Sequence, residues 1–222
     1  MTSFALKLIA IVSMLLDHIG AILFPDVIAL RYIGRLAFPI FCFLLVEGYY
    51  HTSNVKKYLL RLGIFAAISE VPFDLAFRGR LFDLGYQNVF FTLFLGLTVI
   101  WLMDEAVKKL GADSLKSKLF RVGFILVGCL LAELLHTDYS ATGVLVIVFF
   151  YMLRDNKTLL TILIALFLGS DVFYGGIEYV AVLSMIPILK YNGKKGPGMK
   201  YFFYVFYPAH LLILVAIRTF LM

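Results

Sequence analysis

Nine apolar runs divide the chain, and no other feature constrains its fold as much. They fall near residues 6–24, 33–50, 58–77, 89–103, 119–135, 141–153, 159–173, 177–189 and 201–222. A hydrocarbon core ~30 Å thick takes about 17–25 apolar residues per helix, so the longer runs suffice to cross a bilayer. The shorter runs, 141–153 and 177–189, are expected as tilted, broken or re-entrant helices shielded by protein. Lipid offers an irregular backbone no hydrogen-bond partners. With 62% hydrophobic and 15% charged residues, the chain lies far from the composition of a soluble or disordered protein. The expected class is therefore all-α: a polytopic transmembrane helix bundle of about nine spans, forming a single domain over 1–222.

Basic residues set its orientation. Fifteen of the 20 Lys and Arg fall in one alternating set of segments, and Arg31, Arg35, Arg78, Arg80 and Arg218 fall in the other. By the positive-inside rule the richer set is cytoplasmic, which puts the N-terminus inside. The same rule accounts for the net charge of +6 without invoking nucleic acid. The first run carries Asp17 and His18 and lacks a small-x-small cleavage site, so it reads as a retained helix rather than a signal peptide.

Ionisable groups within apolar runs carry the functional information. Asp17, His18, Arg35, Glu47, Glu70, Asp74, Glu133 and His210 sit where each charge costs roughly 2.5–3.5 kcal/mol. Such groups either lock helices together or line a polar chamber. His18 stands about 18 Å along the first helix from Leu6, in its outer half. Adjacent helical residues diverge by about 100°, so Asp17 and His18 face different neighbours. Arg31 and Arg35, spaced i, i+4, share one face at the outer end of the second helix. Arg35 wants a carboxylate, and Asp17 lies at the matching height; an anionic substrate group is the alternative partner. Pro39 nearby is expected to kink that helix. His210, mid-span after Pro208, is the second candidate functional histidine.

Two basic stretches offer sites for a phosphorylated cofactor: Lys56, Lys57 and Arg61 at the start of the third span, and Lys194 and Lys195 in a glycine-rich turn. Positive-inside flanking accounts for the same residues. No His, Cys or carboxylate spacing completes a metal site, and no Gly-rich nucleotide loop is present. Cys42 and Cys129 lack a local base.

A series of local patterns runs in one order along nearly the whole chain. They are Leu16-Asp17-His18-Ile19-Gly20, Arg35-Leu36-Ala37-Phe38-Pro39, Glu47-Gly48 with Thr52-Ser53-Asn54, Lys57-Tyr58 with Arg61, and Pro72-Phe73. Asn88-Val89 with Thr92-Leu93, Asp138-Tyr139 and Tyr207-Pro208-Ala209-His210 follow. This series resembles the TraX family of bacterial integral-membrane acetyltransferases, which is similar to the wider transmembrane acyltransferase group. One departure is Ser140, where a Gly often follows Asp-Tyr.

The resemblance implies an enzyme of the bacterial inner membrane that moves an acetyl group from cytoplasmic acetyl-CoA to an amine or hydroxyl. The acceptor would be a protein N-terminus, a glycan or a lipid, met among membrane lipids. His18 would be the general base, with Asp17 and Arg35 completing the catalytic group. Lys56, Lys57, Arg61, Lys194 and Lys195 would hold acetyl-CoA, without a metal. Arg31, Glu47, Asn88, Tyr139 and His210 would bind the acceptor, with Asn88 a donor to the oxyanion. The alternative is a small proton-coupled transporter using the buried carboxylates Glu47, Glu70, Asp74 and Glu133.

Overall fold

The computed structural model describes residues 1–198 and 200–221, and every regular element among them is helical. In chain order these are α1 (Ser3–Ile22), α2 (Ile28–Gly34), α3 (Ala37–His51), α4 (Val55–Phe77), α5 (Val89–Leu110), α6 (Leu115–Leu134), α7 (Ser140–Met152) and α8 (Lys157–Gly169). Two 3₁₀ stretches follow, Ser170–Tyr174 and Glu178–Ser184, then α9 (Met185–Leu189) and α10 (Lys200–Leu221). Five segments among the described residues are long and apolar enough to cross a membrane: Ser3–Ile22, Ile28–His51, Val89–Leu110, Lys157–Tyr174 and Tyr201–Phe220. Ser140–Met152 and Glu178–Leu189 are shorter apolar helices. α4 and α6 are long enough but carry several charges each. The chain is thus a multi-helix membrane protein.

Proline explains where several runs break. The expected helix over 33–50 is interrupted at Arg35–Leu36, between α2 and α3. A helical Pro39 would press its ring on the Arg35 carbonyl, so the chain turns there and restarts with Pro39 in the first turn of α3, where it is tolerated. Pro72 and Pro208 lie inside α4 and α10, each removing one ladder hydrogen bond. The run 177–189, expected to be irregular, winds as 3₁₀ helix before the five-residue α9.

The chain divides into two compact units. The first comprises Met1–Leu44, Val71–Phe82 and Leu153–Met222. In it α1 packs on α2 and α10, while α8 packs on the 3₁₀ stretches. The approach of α2 to α1 depends on Gly34, because a Cβ there would fall 2.2 Å from the Asp17 side chain. The second unit comprises Leu45–Glu70 and Asp83–Met152, and its α5, α6 and α7 pack mutually. At Gly96 the Ile147 side chain fills the place of a Cβ.

The loop 136–140 of the second unit holds three non-glycine residues in the left-handed region: His136 (φ 48°), Tyr139 (φ 64°) and Ser140 (φ 43°). Its neighbours hold it there. Gln87 donates its backbone N–H to the His136 carbonyl at 3.0 Å and accepts the Asp138 N–H at 2.8 Å. The Tyr86 hydroxyl donates to Asp138 Oδ1 at 2.9 Å. Strain of this kind persists only where surrounding bonds over-determine it.

Candidate functional site

The first unit concentrates its charges around Asp17. Helical geometry separates Asp17 from His18 by about 100°; Asp17 turns to α2 and His18 to α10. Arg31 Nη1 donates to Asp17 Oδ2 at 2.9 Å and to the Asp17 carbonyl at 3.2 Å. Arg35 Nη2 donates to Asp17 Oδ1 at 2.6 Å, and Arg35 Nη1 donates to Glu178 Oε1. Asp17 and Arg35 are only 7% and 8% exposed. One carboxylate thus bridges two guanidiniums, and a second carboxylate balances the charge. Complete compensation is what permits burial, since removing one partner of a buried pair costs about 3–5 kcal/mol.

Glu178 is the member that sequence reasoning missed. It begins a 3₁₀ stretch, and its backbone N–H donates to Asp171 Oδ2 at 2.8 Å. The one available signal was a carboxylate at the rim of a short apolar run. Nothing in the sequence linked that rim to Arg35, 143 positions away.

The two candidate histidines meet. His18 Nδ1 and His210 Nε2 are 2.6 Å apart, with ring planes within 2° and centroids 4.9 Å apart. The centroid separation is about the N···N contact plus the two ring radii, so the rings meet edge to edge in nearly one plane. His210 Nδ1 donates to the Phe206 carbonyl at 2.7 Å, which makes its Nε2 the acceptor when the ring is neutral. His18 Nδ1–H is then the donor, and the lone pair of His18 lies on Nε2. Phe77 and Tyr207 stand edge-on to His18 at 5.4 and 6.0 Å. The histidines and the charged group share α1 as their common support.

Glu47, Asn88 and Tyr139 belong to the second unit. Glu47 is buried, and its carbonyl accepts from His51 Nδ1 at 2.8 Å. Tyr139 occupies the left-handed loop, where its carbonyl accepts the Gly143 N–H. Asn88 is fully buried as the N-cap of α5. Its Oδ1 accepts the Phe90 N–H at 3.0 Å, while its Nδ2 donates to the Ala66 carbonyl at 2.8 Å and to Glu70. The side-chain oxygen caps α5, and the amide hydrogens tie its start to α4. Lys56 and Lys57 are exposed at the start of α4, and Arg61 lies over the Tyr58 ring at 5.3 Å. Those three belong to the second unit, whereas Lys194 and Lys195 belong to the first. No group of three or more His, Cys, Asp or Glu among the described residues is arranged to hold a metal.

Residues 3–218 match the family described as TraX protein. The chain is 33% identical, over 99% of its length and 97% of the relative's, to "Probable fimbrial assembly protein FimC, serogroup H1" of Dichelobacter nodosus. It is 30% identical to "Uncharacterized protein RP591" of Rickettsia prowazekii (strain Madrid E), over 46% of this chain and 38% of the relative. No solved structure matches the chain. The chain belongs to the TraX family.

These findings correct the expected function. The full-length relative is named for fimbrial assembly, which overturns the expected transfer of acetyl from acetyl-CoA with His18 as base and, with it, the proton-coupled transporter. Asn88, expected to steady an oxyanion, caps α5. Glu70 and Glu133, expected in a proton relay, accept backbone N–H groups of Asn88 and Ala141 beside the starts of α5 and α7.

Proposed function

We propose that this member of the TraX family acts in fimbrial assembly as a multi-pass protein of the bacterial inner membrane, with a fimbrial subunit as its partner. The observation that carries the reading is the end-to-end similarity to the probable fimbrial assembly protein of Dichelobacter nodosus. In this reading the working part is the centre of Asp17, Arg31, Arg35, Glu178, His18 and His210. Charge inside an apolar helical unit is costly, and a helix pair locked by packing alone has no need of it. The paired guanidiniums suit recognition of a carboxylate on the partner, competing with Glu178 for Arg35.

The test is deletion of the gene in a fimbriate host, followed by counting surface fimbriae in electron micrographs and measuring subunit in the membrane. Bare cells with normal subunit levels, restored by the wild-type gene and not by a well-inserted Arg35→Gln variant, are the expected result. Normal fimbriation of the deletion strain overturns the reading.

A further inference from the structure

The first unit also carries a cluster of lysines at the starting end of α1. Residues 1–4 run against the segment 190–196 in backbone pairs. Asn192 N–H donates to the Met1 carbonyl at 2.9 Å, Ser3 N–H to Lys194 at 2.9 Å, and Phe4 N–H to Lys195 at 3.1 Å. The Ser3 hydroxyl adds a bond to the Lys195 carbonyl at 2.8 Å. Gly196 (φ 72°) lets the turn close, since a Cβ there would meet Phe4 and Thr2 at 2.9 Å. Lysines about 190 positions from the first helix are thereby fixed against its first turn.

The first-turn amides of α1 are already engaged: Ser3 and Phe4 bond the lysine carbonyls, and Ala5 bonds Thr2 Oγ1. A ligand here would meet ammonium groups rather than helix N–H groups. Lys7 lies one turn further in, half-buried, with its ammonium 5.1 Å from the Phe203 ring centroid, and it is close enough to Lys195 for their charges to repel. None of Lys7, Lys190, Lys194 and Lys195 makes an ion pair among the described residues. Phe4 and Phe203 touch edge-on at 6.2 Å, so α1 and α10 begin at the same level. Both helices include segments long and apolar enough to span a membrane, so this level is the interface where lipid phosphates lie.

We propose that Lys7, Lys194 and Lys195, with Lys190 beside them, bind the phosphate of an anionic phospholipid headgroup. Flanking lysines scattered along a membrane face attract anionic lipid diffusely, at about 1 kcal/mol each. This group differs in being anchored by backbone bonds, in lacking carboxylate partners, and in holding one ammonium below the others beside an aromatic ring. A phosphodiester supplies the missing counter-charge, and its acyl chains continue along the apolar faces of the helices.

The test uses the full chain in nanodiscs of phosphatidylcholine, alone or with equal phosphatidylglycerol, and counts lipids retained in native mass spectra. Wild type is expected to retain phosphatidylglycerol selectively. The triple variant Lys7→Gln, Lys194→Gln, Lys195→Gln is expected to lose that preference by about fivefold per lysine. The exposed pair Lys194→Gln, Lys195→Gln, which leaves the half-buried Lys7 in place, should lose about 25-fold. A charge-matched variant at Lys109, Lys116 and Lys118, all exposed in the second unit, should keep it. An equal loss in that variant overturns the site in favour of diffuse attraction. Equal retention of both lipids by wild type, or displacement of phosphatidylglycerol by inorganic pyrophosphate, also overturns it, the latter in favour of a soluble phosphate ligand.

Discussion

Both units bury acidic side chains, and they neutralise them differently. In the first, Asp17 and Glu178 are held by guanidiniums: Arg31 and Arg35 from α2 and its cap reach a carboxylate on α1 and another beyond α8. In the second, Glu70 is held by amides. Its Oε1 accepts the Asn88 N–H at 2.9 Å and an Asn88 side-chain hydrogen at the start of α5, where the helix dipole favours an anion. A carboxylate of the second kind joins neighbouring helices through neutral amide donors. A carboxylate of the first kind pairs with a cation that a competing anion can take over. The unit whose ion pairs are buried is therefore the better candidate for a working site.

That contrast is open to measurement. Its sharpest break is Arg35→Met, which takes the shared cation from Glu178 and leaves Asp17 with Arg31 alone. It should lower stability by about 3–5 kcal/mol in detergent unfolding, and adding Glu178→Gln should recover part of the loss. A midpoint unchanged by Arg35→Met would mean the network contributes nothing to the fold. His210→Leu comes next at about 1–3 kcal/mol, because the His18 Nδ1–H loses its acceptor. In nitrogen NMR of the wild type the His18 proton should sit on Nδ1; a wild-type proton on Nε2 would contradict the ring geometry. In the second unit, Glu70→Gln keeps an acceptor oxygen and should cost only about 1 kcal/mol, the charge-assisted part of its bonds. A loss as large as that of Arg35→Met would erase the distinction between the units. The smallest effect has the opposite sign. Ser140→Gly relieves a left-handed backbone, and after the entropic cost of glycine it should stabilise by about 0.5 kcal/mol, read as a small rise in Tm.

Much of this was legible in the residues. Nine apolar runs announced an all-helical membrane protein, and Pro39 announced the break between α2 and α3. The matched heights of Asp17 and Arg35 pointed to their ion pair, since helical rise alone brings them level. The i, i+4 spacing put Arg31 on the same face. Family patterns spread along the chain pointed to TraX, and the match over residues 3–218 bears this out. The function drawn from that resemblance went further than the comparisons support, because acetyl transfer was carried over with the family name.

What the sequence by itself determined was local and periodic: helix positions, membrane character, and which polar residues lie at costly depths. These follow from rise, spacing and transfer free energy, which act within a single segment. Tertiary structure decided the partnerships. His18 meets His210 across 192 positions, Arg35 meets Glu178 across 143, and Lys194 and Lys195 are pinned to the first turn of α1. In a membrane, apolar surfaces facing lipid and facing protein read alike, and no hydrophobic periodicity tells which helices become neighbours. Only packing, through close contacts such as Gly34 against Asp17, selects the side chains that meet.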